Sequence, residues 1–426
     1  MHDEIREGDR VALLLPGSVE YVDLVVGLLA AGMFPVPLDP RLTEAEREPI
    51  LADVAPRLVV DTPDLAASML ANTPDRFRRG LPRCRPMHLT SGTTGSPKGV
   101  HSGVLDVVHA QRLLDEEREL WGFCETDVNL VLSPLYHSAP LRFAIGTVLA
   151  GGRVVVPGPF DPDRVTAAIS GSSGSRPTTM FCVPTHLQRL FAHWDRVGVP
   201  DLSSFRLVAH AGAPCPPAVT QRMMELFPDG STWEFYGSTE GQFTACRSEE
   251  QQSRPGTVGR ARPGRVLSID EDGTIWCAVP EHARFSYWNA PDKTAAAWRD
   301  TGHGPAFTVG DLGRLDDEGY LYLDGRREDL VISGGVNVYP VEVENALRGC
   351  AGLEDVAVFG VPDEQWGQRV CAAVVGTAEP AALAAYVRER MSPPKRPKDY
   401  YPLDELPRTA TGKVRRLDLP GLLGLD

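Results

Sequence analysis

Apolar runs and amphipathic segments alternate along the first part of the chain. Residues 10–17 (RVALLLPG) form an apolar run that predicts a buried strand ending in a turn. The next segment, residues 18–32, predicts a helix with Ser18 as its N-cap and Gly32 as its C-cap. The alternation continues with a strand, a helix and a strand at residues 34–40, 42–54 and 57–61.

Four further apolar segments, each ending near polar residues or glycine, extend this pattern. They are VNLVLSP (128–134), RVVVPG (153–158), TTMFCVP (178–184) and FRLVAHAG (205–212). Strands that alternate with helices predict a parallel sheet covered by helices. We therefore expect a large, multi-layer α/β domain, in which ligands bind beyond the carboxyl ends of the strands.

The character of the chain changes near residues 324–326. Beyond this point the pattern predicts a strand at residues 329–333, a helix that begins at Pro340, two more strands and a final helix. This order is typical of a small α+β domain. We place the large domain at residues 1–327 and the small domain at residues 328–426.

Composition narrows the classes of function. The chain has 426 residues, enough for two or three domains. Its 43 Lys and Arg against 57 Asp and Glu give a formal charge of −14, which disfavours nucleic acid or an anionic membrane as a partner. Its eight cysteines form no CxxC pair, so a zinc site and thioredoxin-like chemistry lack support. The charged, acidic start and the lack of a long apolar run predict a cytoplasmic protein.

One segment, residues 89–100 (LTSGTTGSPKGV), concentrates hydroxyl groups, glycines and a lysine. Glycines let backbone N–H groups approach phosphate oxygens closely, and Lys98 adds a point charge. A Walker A loop is excluded, because its lysine precedes Ser or Thr whereas Lys98 precedes Gly99, so kinase or simple ATPase chemistry is disfavoured. We expect the phosphates of ATP to contact Thr90, Ser91, Gly92, Thr93, Thr94 and Lys98.

This loop resembles the phosphate-binding signature of the adenylate-forming superfamily, which includes acyl-CoA synthetases, luciferases and peptide-synthetase adenylation domains. Six further segments resemble that family's motifs in the expected order. They are PLYH (134–137), AGAP (211–214), YGSTE (236–240), VGD (309–311), GRRE (325–328) and PRTATGK (407–413). The resemblance runs from about Gly8 to Arg416 and is closest in type to acyl-CoA ligases.

The resemblance implies an ATP-dependent enzyme that converts a small carboxylic acid to an acyl-adenylate and then transfers the acyl group to coenzyme A. ATP, Mg²⁺ and coenzyme A are the implied cofactor and co-substrates. The acid and ATP both carry negative charge, so catalysis depends on positioning and charge neutralisation. Glu240 is a hard oxygen ligand suited to Mg²⁺, Thr239 donates to the α-phosphate, and Lys413 supplies a cation at the α-phosphate.

The same resemblance assigns the rest of the nucleotide site. It implies that adenine stacks on Tyr236 and that Asp311 accepts from the ribose hydroxyls; a core tyrosine is the alternative for Tyr236. The full set for the nucleotide beyond the phosphate loop is Gly212, Ala213, Pro214, Tyr236, Asp311 and Arg326.

The acyl and thiol sites follow from the other motifs. The resemblance implies an acyl pocket formed by His137, Ser138, Gly237 and Ser238. It also places His137 among the catalytic residues, as a gate of the pocket that moves between the two half-reactions, with a purely structural histidine as the alternative. It also implies that Ser333, Gly334 and Gly335 line the coenzyme A tunnel, since only glycine lets the backbone approach a thin thiol arm. Glu328 would be the hinge residue of a mobile small domain.

Several features depart from the family pattern. The segment that begins at Gly8 follows some tens of residues in relatives, and the connection from Asp61 to the phosphate loop is short. Residues 83–88 replace a stretch that is often acidic, and Val309 replaces a common threonine, as in some bile-acid and steroid-type ligases. The last feature suggests a bulky, apolar acid. Two alternative functions stay open. One is a specialist that makes only the thioester from preformed acyl-adenylate, and the other is a non-catalytic adenylate-binding protein. A homodimer is also possible on the sequence.

Overall fold

The chain forms two compact units in a computed structural model. The structure describes residues 6–74, 77, 80–90, 97–171, 174–212, 215–271, 273–325, 330–338, 340–407 and 414–425. The first unit contains residues 1–40, 54–89 and 99–324, and the second contains residues 41–53, 90–98 and 325–426. The predicted boundary between residues 327 and 328 falls outside the described residues and stays a prediction.

The described helices number thirteen, apart from single 3₁₀ turns. They are α1 (Val19–Ala30), α2 (Glu44–Val54), α3 (Pro63–Ala71), α4 (Val107–Trp121), α5 (Ser138–Leu149), α6 (Pro162–Ile169), α7 (Pro184–Val197), α8 (Pro217–Leu226), α9 (Ser248–Ser253), α10 (Pro291–Ala297), α11 (Pro340–Leu347), α12 (Pro380–Arg388) and α13 (Leu419–Leu422).

Most of the described strands are short, and the two longest, Leu353–Asp363 and Gly367–Gly376, belong to the second unit. They are β1 (Arg10–Leu13), β2 (Phe34–Pro37), β3 (Leu58–Val60), β4 (Leu89–Thr90), β5 (Lys98–His101), β6 (Val128–Val131), β7 (Arg153–Val155), β8 (Thr179–Cys182), β9 (Leu207–His210), β10 (Thr232–Glu234), β11 (Thr244–Arg247), β12 (Thr257–Ala261), β13 (Val266–Ile269), β14 (Ile275–Ala278), β15 (Ser286–Tyr287), β16 (Trp298–Thr301), β17 (Gly304–Phe307), β18 (Leu312–Leu315), β19 (Tyr320–Gly325), β20 (Val331–Ser333), β21 (Val336–Val338), β22 (Leu353–Asp363), β23 (Gly367–Gly376) and β24 (Asp399–Pro402).

A nine-stranded sheet dominates the first unit, in the order β18-β19-β12-β11-β10-β9-β8-β6-β7. The five strands from β10 to β7 are parallel, which confirms the sheet predicted from the apolar segments. Because parallel strands share one carboxyl edge, the segments that follow β6, β9 and β10 leave the sheet at the same edge. These segments carry residues 134–137, 211–212 and 236–240.

The predicted strand–helix alternation at the start of the chain is also confirmed. The strands β2, β1 and β3 form a parallel sheet, and the side chain of Ser18 accepts a hydrogen bond from the backbone N–H of Tyr21 at the start of α1. The C-cap of α1 is Ala31, one residue before the predicted Gly32, which follows with a φ of +70°. The first strand ends at Leu13, earlier than predicted, since residues 14–17 form no ladder.

Buried aromatic rings hold α4 and α5 against the sheet. Trp121, Phe123 and Phe143 from this helical layer pack on Phe181 and Phe235 from the sheet side. The contacts fix which face of each helix points away from the sheet, and that face lines the cavity described below.

The second unit has the α+β character that the sequence predicts. Its sheet has the order β21-β20-β23-β22, with β24 parallel to β23. As predicted, α11 begins at Pro340, and its Val343 and Leu347 pack in the same core as Leu383 and Val387 of α12.

Candidate active site

A cavity of about 1080 Å³, including the part open to solvent, lies within the first unit. The helix α5 lines it with one face, because Ser138, Arg142, Ile145 and Leu149 recur at helical spacing. The facing helix α4 contributes Leu113, Leu114, Glu116 and Glu117, and the turn after β10 contributes Ser238, Thr239 and Gln242. Two motifs that are far apart in sequence thus border one space.

The turn that carries Ser238 and Thr239 is tight for a steric reason. Gly237 pairs with Gln242 across the turn, and the N–H of Ser238 donates to the carbonyl of Gly241 at 2.9 Å. A Cβ on Gly237 would lie only 2.9 Å from Cα of Gln242, so only glycine fits there. The hydroxyl of Ser238 finds no hydrogen-bond partner among the described residues.

Glu240 is buried immediately after this turn. Its Oε1 accepts a hydrogen bond of 2.7 Å from the hydroxyl of Tyr287, and its backbone carbonyl accepts from Nη1 of Arg85 at 3.4 Å. The tyrosine holds the carboxylate in one orientation and leaves lone pairs on the other oxygen for a further partner.

Tyr236 and Asp311 are joined directly. The Tyr236 hydroxyl donates to Oδ2 of Asp311 at 2.5 Å, and the tyrosine ring packs against Phe243 with the ring centroids 4.9 Å apart. Tyr236 is buried, so its ring serves the core on at least one side. Stacking of adenine on its other face stays a prediction.

Two histidines lie where the segment after β6 enters α5. His137 occupies the N-cap position without capping through its side chain, and its ring contacts Tyr136 with the ring centroids 4.6 Å apart. The buried His88 lines the cavity, and its Nδ1 lies 3.2 Å from the carbonyl oxygen of Tyr136, so Nδ1 is the donor. Burial lowers the pKa of His88 to about 4, which keeps this imidazole neutral near pH 7.

A set of charged residues that the sequence analysis did not single out lines the same cavity. Glu117 lies 3.0 Å from Nη1 of Arg262 and 3.4 Å from Nε of Arg142. Glu116 pairs with both terminal nitrogens of Arg265, at 3.1 and 2.9 Å. We call these five residues the charged cluster. In the sequence, the feature that could have indicated this cluster was Arg142, the one charged side chain in the largely apolar α5.

Both carboxylates of the charged cluster are held in the ionised form. Burial by itself would raise the pKa of Glu117, but Arg142 and Arg262 outweigh it, and the pKa is lowered. The pKa of Glu116 is lowered in the same way by Arg265 and Arg262. The wall of the cavity is therefore ionic on this side, while the rest of it is largely apolar.

Lys98 and Thr90 of the phosphate loop belong to the second unit. The ammonium of Lys98 lies 3.3 Å from Oδ2 of Asp53, and both side chains are half-buried. The hydroxyl of Thr90 donates to the carbonyl of Lys98 at 3.4 Å. The lysine therefore has a carboxylate as its partner.

The predicted tunnel residues form a hairpin turn in the second unit. Ser333 ends β20, Val336 begins β21, and the two residues between them have φ values of +58° and +78°. Positive φ values at both central residues favour glycine there, with asparagine or aspartate as the usual substitutes. The N–H of Gly334 also donates to the carbonyl of Trp366 at 2.7 Å, and a Cβ on Gly334 would lie 3.0 Å from that indole ring.

The remaining predicted site residues divide into two groups. Gly212 follows β9 at the carboxyl edge of the nine-stranded sheet. The others lie outside the residues that the structure describes: Ser91, Gly92, Thr93, Thr94, Ala213, Pro214, Arg326, Glu328 and Lys413.

Membrane spans and metal clusters are both missing from the described part of the chain. In the described ranges, no helix combines the length and the apolar character needed to cross a bilayer. Across those same residues, His, Cys, Asp and Glu side chains nowhere gather in threes that could hold a metal ion.

Comparison with known proteins identifies the family. The AMP-binding enzyme family matches residues 1–81 and 87–280, and the AMP-binding enzyme C-terminal domain matches residues 342–413. A feruloyl-CoA synthase from Amycolatopsis is 33% identical over 96% of this chain and 88% of its own. A 2-succinylbenzoate–CoA ligase from Geobacillus kaustophilus is 32% identical over 98% of this chain and 89% of its own.

The fold agrees with the sequence match. The o-succinylbenzoate CoA synthetase from Bacillus subtilis, solved with its product analogue OSB-NCoA, superposes with a TM-score of 0.83. It is 27% identical, and the match covers 98% of this chain and 89% of that protein. The chain therefore belongs to the AMP-binding enzyme family, and within that family it is an ATP-dependent acyl-CoA ligase.

Proposed function

We propose that this ligase activates a bulky, largely apolar carboxylic acid whose body fills the cavity between α4 and α5. The observation that carries the proposal is that Ser138 and Ser238, from two separate motifs, line that one cavity together with Thr239. The mainly apolar walls of this cavity suit an acid with a ring-containing body. The relatives named for feruloyl-CoA and 2-succinylbenzoate fit this class, since both names denote aromatic acids.

The reaction divides the site residues by task. In the first step an oxygen of the acid bonds to the α-phosphorus of ATP, and the bond from that phosphorus to pyrophosphate breaks. Thr239, at the cavity wall, donates to the α-phosphate, and Lys413 offsets the negative charge that builds there. In the second step the thiol of coenzyme A bonds to the acyl carbon and AMP leaves, with Ser333, Gly334 and Gly335 along the path of the thiol arm.

Tyr236 and Asp311 act as a pair in binding the ribose. Because one oxygen of Asp311 accepts a hydrogen bond from Tyr236, the carboxylate is held in one orientation. Its other oxygen can then accept hydrogen bonds from the ribose hydroxyls with little further loss of side-chain entropy. Tyr236 thus has a positioning role through its hydroxyl in addition to the predicted stacking through its ring.

The surroundings of Glu240 suit a bound Mg²⁺ ion. Its buried carboxylate is oriented by Tyr287, and one carboxylate together with phosphate oxygens and water is a usual magnesium environment. When bound with ATP, Mg²⁺ would supply positive charge to the phosphates. Glu240 would then hold the metal with its phosphates at the turn that also carries Thr239.

Pyrophosphate exchange against a panel of carboxylic acids tests this function, followed by coenzyme A and mass detection of the product. We expect exchange with ring-containing acids and the matching acyl-CoA. The variant Ser238→Leu should lower kcat/KM for the largest acids by about tenfold or more and for acetate far less, because the leucine takes up cavity volume that a large acid occupies and acetate does not.

Two outcomes would contradict the proposal. If Ser238→Leu affects acetate and ring-containing acids equally, the cavity is not the acyl pocket. If thioester appears only from purified acyl-adenylate and never from free acid with ATP, the chain is the half-reaction specialist.

A further inference from the structure

The charges on the cavity wall do not balance. Of the residues that the structure describes, four with guanidinium groups and two with carboxylates line the cavity: Arg85, Arg142, Arg262, Arg265, Glu116 and Glu117. Even when the nearby carboxylate of Glu240 is counted, cations are in excess. His88 does not change the balance near neutral pH, because burial lowers its pKa to about 4. An enclosed excess of positive charge favours an anion.

Glu116 and Glu117 are already committed to particular partners. Glu116 binds Arg265 with both oxygens and also lies 2.7 Å from Nε2 of His282. Glu117 has its shortest contact, 3.0 Å, with Arg262, whose side chain is only 4% exposed. Arg262 and Arg265 therefore have structural partners, and their charges are used within the cavity wall.

Arg142 is only partly engaged by the protein. Its Nη2 donates to Oε1 of Gln242 at 2.7 Å, and its buried Nε lies 3.4 Å from Oε2 of Glu117, the carboxylate that Arg142 shares with Arg262. Among the described residues, its Nη1 makes no hydrogen bond. Its side chain is 26% exposed, against 4% for Arg262, and it lies one turn along α5 from Ser138. Phe235 packs under the guanidinium at 5.2 Å and restricts its position.

Arg85 adds a cation that has no carboxylate partner among the described residues. Among the described residues its guanidinium donates to the backbone carbonyls of Arg284, at 2.9 Å, and Glu240. Burial, and next the charge of Arg265, lower its pKa to about 10, so it stays protonated at neutral pH. It therefore contributes to the positive potential of the cavity.

We propose that the acid carries a second carboxylate besides the reacting one, and that Arg142 binds it. The reacting carboxylate lies at Thr239, the second carboxylate accepts from Arg142, and the apolar body contacts walls such as Ile145 and Leu149, which follow Arg142 along α5. This inference rests on the proposed function, because it takes the cavity to be the acyl pocket. It narrows the substrate class to dicarboxylic acids with an apolar body.

The test compares acids that differ only in the second carboxylate. One pair is 2-succinylbenzoate and 4-oxo-4-phenylbutanoate, and another is nonanedioate and nonanoate. These pairs accompany the wider acid panel, and the best acid found there is compared with its analogue that lacks or gains one carboxylate. The measurement is the ratio of kcat/KM within each pair, which does not depend on the fraction of folded enzyme.

Three enzymes are compared with the wild type. Arg142→Gln removes the cation, Arg142→Lys keeps a charge without the planar fork, and Arg112→Gln removes an exposed arginine of α4 outside the cavity as the matched control. We expect the wild type to prefer the dicarboxylate of the best pair by about tenfold or more, as for a charged hydrogen bond. Arg142→Gln should bring the ratio within about threefold of one, Arg142→Lys should fall between, and Arg112→Gln should match the wild type.

The inference fails if the best acid of the panel is a monocarboxylate, or if Arg142→Gln keeps the wild-type ratio. Efficient thioester formation from monocarboxylates alone would overturn it and leave the proposed function standing. If no acid gives pyrophosphate exchange or thioester, the proposed function fails as well, so the two failures are distinguishable.

Discussion

The hydroxyl of Tyr236 donates a 2.5 Å hydrogen bond to Oδ2 of Asp311, which lies 75 residues further along the chain. The bond ties the turn after β10 to the segment before β18. Because the tyrosine ring also packs on Phe243, the position of the carboxylate is set by the hydrophobic core. The residue proposed to bind the ribose is therefore placed by the fold.

Removing that hydroxyl separates the two roles of Tyr236. Tyr236→Phe keeps the ring and loses the hydrogen bond, so we expect KM for ATP to rise by about fivefold, the effect of ~1 kcal/mol. Tyr236→Leu should raise it further, since the ring is lost too. Steady-state kinetics with varied ATP measure both. An unchanged KM for ATP in Tyr236→Phe would show that the bond does not position Asp311 for binding.

Lys413 is expected to act in the adenylation step. Lys413→Ala removes one charge contact of the transition state, so acyl-adenylate formation should fall by about 10²–10³. Thioester formation from supplied acyl-adenylate should be nearly unaffected. Single-turnover assays of the two steps make the comparison, and equal losses in both would refute the assignment.

The ion pair between Lys98 and Asp53 is expected to compete with nucleotide phosphates. Asp53→Asn leaves the lysine without its carboxylate, so KM for ATP should fall by about two- to fivefold, as for a pair worth up to ~1 kcal/mol. Lys98→Ala should raise KM for ATP. If Asp53→Asn raises KM instead, the carboxylate orients the lysine rather than competing for it.

The two glycines of the β20–β21 turn are expected to serve both the turn and the thiol arm. Gly335→Asn tolerates a positive φ and isolates the steric effect, whereas Gly335→Leu adds backbone strain. We expect both variants to slow transfer to coenzyme A from supplied acyl-adenylate. The melting temperature should drop mainly in the leucine variant. Normal transfer in Gly335→Asn would mean that glycine is needed only for the turn.

Buried histidines should make the folded state sensitive to acid. Both ring nitrogens of His210 lack a hydrogen-bond partner among the described residues, and burial lowers its pKa from 6.5 to about 4. Below pH 6.5 this histidine is therefore protonated in the unfolded chain but stays neutral in the folded chain. The free energy of unfolding consequently falls as the pH drops from 6.5 towards 4.

A substitution isolates this contribution. Between pH 7 and pH 5, His210→Phe should lose less unfolding free energy than the wild type, by about 2 kcal/mol. Urea unfolding at both pH values measures the difference. The exposed His303→Gln serves as the control and should behave like the wild type. Equal losses in His210→Phe and the wild type would mean that protonation of His210 does not drive the acid sensitivity.

Local patterns determined much of this protein. Strand and helix periods predicted the parallel sheet and the α+β second unit, because apolar spacing reflects which face of an element is buried. The start of α11 at Pro340 followed from the geometry of proline. The ordered motifs identified the family and the chemistry, since each combines residue types that phosphate and carboxylate reactions require.

Only the tertiary structure decided the charge of the cavity. Arg142, Glu117 and Arg262 come from three distant segments, and each taken alone looks like a solvated surface charge. Their meeting depends on how α4 faces α5 and on where the chain returns after β12. The spacing of residues along a helix predicts which side chains share a face, but it does not predict which other element packs against that face. The sequence by itself therefore determined the enzyme class, an acyl-CoA ligase. The tertiary packing decided which charged and apolar side chains line the cavity proposed for its acid.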